Sequence, residues 1–156
     1  MSSRPDSAEV LQSCTIDELQ VGDVVEISRV VSTEDILRFA EITGDFNPVH
    51  IDPEFARSSR FGRIIAHGPV ALGLAGQIVG TRMPGLGTIA LSANIRHLRP
   101  IFADDRVTTR AEISAMDVSK GNVTVSLTWS NQDGELVAEG ETVVKPPRES
   151  VEAPPT

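Results

Sequence analysis

A chain of 156 residues with 40% hydrophobic side chains is long enough for one domain with its own core. Fourteen basic against 22 acidic residues leave a formal charge of −8, which argues against general attraction to nucleic acid, and one Trp, five Phe and no Tyr disfavour a base-stacking surface. A single cysteine, Cys14, allows no internal disulfide, and the polar start MSSRPDSAEV lacks the apolar stretch of a signal peptide, so the expected setting is the cytoplasm.

Residues 1–12, rich in Ser, Asp and Pro, are expected to be flexible, as is the Pro-rich tail 146–156; a single domain is expected over 13–145. A first strand is expected at 24–31, where Val25, Ile27 and the pair Val30-Val31 alternate imperfectly. Ser32 with Asp35 three places on reads as a helix cap, and Gly44 as a helix stop, so a helix is expected over Thr33–Thr43. The segment DFNPVH, 45–50, reads as a loop, followed by a short helix at 54–58 after the cap-then-proline pair Asp52-Pro53.

The stretch 64–82, IIAHGPVALGLAGQIVGTR, holds no acidic residue. Pro69 suits a helix start, and Val70, Leu72, Leu74, Ala75, Ile78 and Val79 are apolar on nearly every side. Gly73, Gly76 and Gly80 weaken an isolated helix, so the expectation is a helix closely wrapped by other elements. It is too short and Gly-rich for a membrane span. Strands are expected at 88–97, with Ile89, Leu91, Ala93 and Ile95 on one face, then at 106–116, 123–129 and 136–144. These segments predict an α+β fold: a curved antiparallel sheet wrapped around one long central helix.

Asp45 and His50 flank one tight turn, and an imidazole beside a carboxylate is an acid/base pair. Spacing alone is weak evidence for that role, since such residues are common at surface turns. Asn47 can stiffen the turn by bonding to its backbone. His67, Gly68 and Pro69 stand at the start of the apolar helix, where the Gly68 N–H is among the free donors and developing negative charge is favoured; a glycine there could equally serve backbone geometry alone. Arg57, Arg60, Arg63, Arg96 and Arg99 read either as a solvated rim or as contacts for phosphates. Asp45, His50 and His67 could be imagined around a metal, but no tight ligand motif is present, and none is expected. His97 reads as a strand or interface histidine.

With GDFNPVHID at 44–52, IIAHGPV at 64–70 and RHLRPIFADDRV at 96–107, the chain resembles the MaoC-like hydratases, the (R)-specific enoyl-CoA hydratases of the hot-dog superfamily, over residues 21–144. The resemblance implies reversible syn hydration of a trans-2-enoyl-CoA to the (R)-3-hydroxyacyl-CoA. It implies Asp45 and His50 as the catalytic dyad, the Gly68 amide on the thioester carbonyl, and Asn47 and His67 in support. No cofactor is implied beyond the coenzyme A of the substrate; an acyl carrier protein is the other carrier to consider, and a homodimer or higher homo-oligomer is expected, without nucleic acid or membrane. The rivals are a hot-dog thioesterase and a non-catalytic acyl-thioester binding subunit. Two departures stand out. Pro69 offers no amide donor, and Gly76 occupies a place where some relatives carry a serine near the acyl chain.

Overall fold

The structure, a computed structural model, describes residues 11–155. Residues 1–10 of the segment expected to be flexible lie outside the described residues. In chain order the elements are a 3-10 turn at Ile16–Glu18, β1 (Val24–Val30), α1 (Thr33–Thr43), α2 (Pro48–Ile51), α3 (Pro53–Ser58), α4 (Val70–Thr81), β2 (Ile89–His97), β3 (Arg106–Asp117), β4 (Asn122–Ser130) and β5 (Leu136–Lys145). The segment 45–50, expected as loop throughout, turns into the single-turn α2 because Pro48 takes the first helical position behind an Asn cap.

The five strands form one sheet in the order β1-β3-β4-β5-β2, every neighbouring pair antiparallel. β4 shows why the strands form where they do: Val123, Val125, Leu127 and Trp129 alternate and are all buried, so one face of the sheet is the core. β3 keeps the same alternation through Val107, Thr109, Ala111 and Ile113, then a bulge before Ala115 shifts its register, and Ala115 is exposed. In β2 a bulge between Ala90 and Ser92 likewise breaks the face expected to carry Ile89, Leu91, Ala93 and Ile95; only Ile95 packs against the core.

The expectation of a curved sheet wrapped around the long helix is corrected here. The sheet is open, with β1 and β2 as free edges, and it is neither closed nor strongly curled. The 12-residue α4 lies on it from one side, touching β3 and more lightly β1, and buries Ala71, Ala75 and Ile78, a single stripe at helical spacing. Its glycines do not serve close packing: a β-carbon added at Gly73, Gly76 or Gly80 would meet nothing within 4 Å. The apolar character of α4 on several sides was therefore no measure of how far the sheet encloses it. Ile78, fully buried, contributes about 1.5–3 kcal/mol through burial.

The chain before β1 is strapped across the end of α4. The Gln12 N–H donates to Thr81 O at 2.9 Å, and Gln12 O accepts from Leu86 N–H at 2.7 Å. Gly85 makes this possible, since a β-carbon there would stand 1.9 Å from Gln12 O. Beyond β5, Pro146 is buried and the Val151 N–H donates to Ser13 Oγ at 2.8 Å. Among the described residues no helix is long and apolar enough to cross a membrane.

Candidate active site

Local capping rules deliver the first residues of the site. Ser32 Oγ accepts from the Asp35 N–H while Asp35 Oδ2 accepts from the Ser32 N–H, which fixes the start of α1. At the other end Gly44 sits at φ 74° and its N–H donates to Ala40 O at 2.8 Å, which ends the helix and leaves Asp45 in the next position. Asp45 Oδ1 then accepts from the Asn47 N–H at 3.1 Å, Asn47 Oδ1 from the Val49 N–H at 3.4 Å, and Asp52 Oδ1 from the Glu54 N–H at 2.9 Å. This succession of side chains bonded to nearby backbone stiffens the segment that carries Asp45 and His50.

Tertiary pairing delivers the rest. Residues 64–66 lie antiparallel to 101–103, joined by Ala66 N–H to Ile101 O at 2.8 Å and Ala103 N–H to Ile64 O at 3.2 Å. The Ile65 carbonyl is thereby held facing α2, where it accepts from His50 Nδ1–H at 2.7 Å. That bond assigns the proton of the ring to Nδ1 and leaves Nε2 with its lone pair. His67 Nε2–H donates to the backbone carbonyl of Asp45 at 2.9 Å, and the His50 and His67 rings stack at 3.9 Å between centroids, with the tilted Phe39 ring 4.9 Å from His67. His67 is 1% exposed and His50 9%, whereas Asp45 is exposed. Burial of His67 leaves its Nδ1 without a hydrogen-bond partner among the described residues.

Gly68 follows directly. Its carbonyl accepts from the Ala71 N–H at 3.3 Å, but its own N–H has no acceptor among the described residues, and the residue lines the cleft just before the start of α4. The cleft has a volume of about 270 Å³ and is lined by His50, His67, Gly68, His97, Arg60 and Arg99 together with apolar residues of 61–66 and 98–101. Asp45, His50 and His67 offer ligand atoms within 4.8 Å of one another. Each histidine, however, already spends one nitrogen on a backbone carbonyl, and His67 Nδ1 is sealed off, so what remains open is one imidazole nitrogen and one carboxylate. That is the composition of an acid/base pair.

The other residues singled out in the sequence are dispersed. Arg60 lines the cleft and lies over the Phe61 ring; Arg99 lines it too, but its guanidinium is engaged by Leu136 O and Glu135. Arg63 stacks on Phe102 with 3.9 Å to the ring centroid, Arg96 pairs with Glu139, and Arg57 stands exposed on α3. Gly76 is on the exposed side of α4 and does not line the cleft. Cys14 lies elsewhere, half-buried; desolvation, then Glu18 and Asp23, push its thiol up, the opposite of an activated nucleophile. Sequence reasoning missed the Ile65 carbonyl, which no residue type could signal, the Phe39 ring against His67, and the place of His97 inside the cleft.

The sequence model of the "MaoC like domain" family matches residues 19–133. The chain is 35% identical to the (R)-specific enoyl-CoA hydratase of Aeromonas caviae over 129 residues, 83% of this chain and 96% of that one. It is also 35% identical to the 3-hydroxybutyryl-CoA dehydratase of Methylorubrum extorquens over 132 residues, 85% and 83% of the two chains. Among solved structures it resembles the unliganded R-hydratase of Pseudomonas aeruginosa with a TM-score of 0.86 and 32% identity, covering 94% of this chain and 97% of that one.

Proposed function

The chain belongs to the MaoC-like domain family, and from that premise we propose that it is an (R)-specific enoyl-CoA hydratase, adding water reversibly to a trans-2-enoyl-CoA. The observation that carries the reading is one open imidazole nitrogen, that of His50, in a cleft it shares with Gly68, with the exposed Asp45 carboxylate within 4.8 Å of the histidine nitrogens. His50 Nε2, freed by the bond of Nδ1 to Ile65, takes a proton from water, and the Asp45 carboxylate orients that water with the oxygen lone pairs not used by Asn47. Hydroxide adds at C3, electron density moves to the thioester oxygen, and the Gly68 N–H stabilises that oxygen as it becomes enolate-like. The proton returns to C2 from the same face, which balances the addition of one water and yields the (R)-3-hydroxyacyl product. His67 holds the Asp45 carbonyl, and Asn47 the carboxylate, so both act by positioning.

For the carrier, Arg60 combines a place in the cleft wall with the lack of a carboxylate partner among the described residues, which suits a phosphate of coenzyme A. The enzyme works as a homodimer in this reading, supported by the open β2 edge with Ile89 61% and Leu91 50% exposed.

The test is incubation of the purified protein with crotonyl-CoA, scored for chiral 3-hydroxybutyryl-CoA and for free thiol. The expected product is the (R)-hydroxy thioester with no thiol released. Free coenzyme A without hydration would replace the hydratase by a thioesterase, and clear preference for the same acyl group on an acyl carrier protein would reassign the carrier.

A further inference from the structure

The chain has three histidines, and all three line the one cleft. Two of them are committed to backbone carbonyls, but the His97 ring has no hydrogen-bond partner among the described residues. It is the last residue of β2, opposite Ala138 of β5, on the same strand face as Ile95, while its neighbour Arg96 turns away to Glu139. The ring is directed at Gly68. A β-carbon built there would stand 2.9 Å from His97 Nε2, 3.2 Å from Cε1 and 3.5 Å from Cδ2, so the Nε2 corner is the part that points inward. His97 is exposed, which leaves it accessible to a ligand.

We propose that His97 is a second hydrogen-bond donor to the thioester oxygen, through Nε2–H, alongside the Gly68 amide. This rests on the hydratase reading and adds a residue to it. The argument is one of span. Covalent geometry puts the Gly68 nitrogen roughly 2.5 Å from its β-carbon position, so it lies at most about 5.4 Å from Nε2, a gap that one oxygen bridges at ~2.9 Å from each donor. The amide supplies one bond to an oxygen with two lone pairs, and as the enolate forms both lone pairs gain charge. An imidazole N–H with no other partner in the protein is available for the second. A side chain at position 68 would crowd the imidazole, its β-carbon standing 2.9 Å from Nε2. His97 donates without giving up its proton, so the stoichiometry of the hydration is unchanged.

The experiment compares His97→Phe and His97→Leu, which lack a donor, with His97→Gln, which keeps an amide N–H at similar reach. Loss of one oxyanion donor typically costs about 100- to 1,000-fold in kcat. The two donor-less variants should lose that much with KM little changed, and His97→Gln should recover at least tenfold of it. A spectroscopic arm uses Asp45→Asn to hold unreacted enoyl-CoA: the infrared stretch of the bound thioester carbonyl should lie at lower frequency in Asp45→Asn than in Asp45→Asn/His97→Leu. Wild-type turnover in the donor-less variants, or equal impairment of all three with no carbonyl shift, overturns the role of His97. If the wild type hydrates enoyl-CoA and Asp45→Asn does not, that failure belongs to His97 alone. If the wild type hydrates no enoyl-CoA, both readings fall together.

Discussion

Asp45 is divided between two environments: the residue is exposed and its carboxylate lies within 4.8 Å of the ligand atoms of His50 and His67, while its carbonyl is held by the buried His67 ring. The two halves make separable predictions. Asp45→Asn keeps the carbonyl and the acceptor for Asn47 but removes the charge, and His50→Ala removes the base; each should lower hydration about 100- to 10,000-fold, with the melting curve nearly unchanged in Asp45→Asn and a loss of about 1 kcal/mol or more in His50→Ala, which also gives up the bond to Ile65. Near-normal turnover in either variant would remove the pair from the mechanism. His67→Phe preserves an aromatic ring in contact with His50 and Phe39 and deletes the N–H to Asp45. A net loss of ~1 kcal/mol is expected in urea denaturation, since a typical hydrogen bond contributes about that much, together with a fall in kcat as Asp45 loosens. Unaltered stability and rate would show that the bond positions nothing.

Among the elements, α1 does most to place the site, because its end decides where Asp45 stands. Its reciprocal cap at Ser32 and Asp35 is a local device whose loss in Ser32→Ala should cost about 1 kcal/mol, read by chemical denaturation with activity largely retained. At the other end Gly44→Ala forces a side chain into the left-handed region at a cost of roughly 1–2 kcal/mol. That strain falls one residue from Asp45, so this variant, unlike the first, should lose rate as well as stability. Equal retention of activity in both would mean that the helix end does not set the position of the carboxylate. α4 contributes differently: it buries one stripe against the sheet and offers its start, at Gly68, to the cleft.

The molecule as a whole is left with exposed apolar side chains on both edge strands, the larger exposures on β2. β2 pairs only with β5, and its Ile89 and Leu91 are large, aliphatic and exposed, at 61% and 50%. A bare edge with such residues favours pairing with another edge. We therefore predict twice the chain mass in light scattering at micromolar concentration, and a shift toward monomer in Ile89→Lys/Leu91→Lys. A wild-type monomer at every concentration with full activity would contradict the homodimer.

What the sequence alone determined is what local rules control. Ser32, Asp35 and Gly44 specify the bounds of α1 by hydrogen bonds and dihedral preferences that reach only three or four residues, and the unbroken alternation of β4 names its buried face. The motifs around Asp45, His50 and Gly68 were legible for the same reason, being compact in the chain; His50 and Gly68 line one cleft, and Asp45 lies within 4.8 Å of the ligand atoms of His50 and His67. The tertiary structure decided what depends on distant pairing. Which side of α4 is buried, and that the sheet stays open around it, follows from how the strands order themselves, and the glycines of α4 carried no sign of it. The bonds from His50 to Ile65 and from His67 to Asp45 join residues 15 and 22 positions apart, and they exist only because 64–66 pairs with 101–103. His97 reaches Gly68 by the same kind of long-range placement: its position at the end of β2 was readable, but the register with β5 that brings its ring to the helix start is a property of the folded sheet.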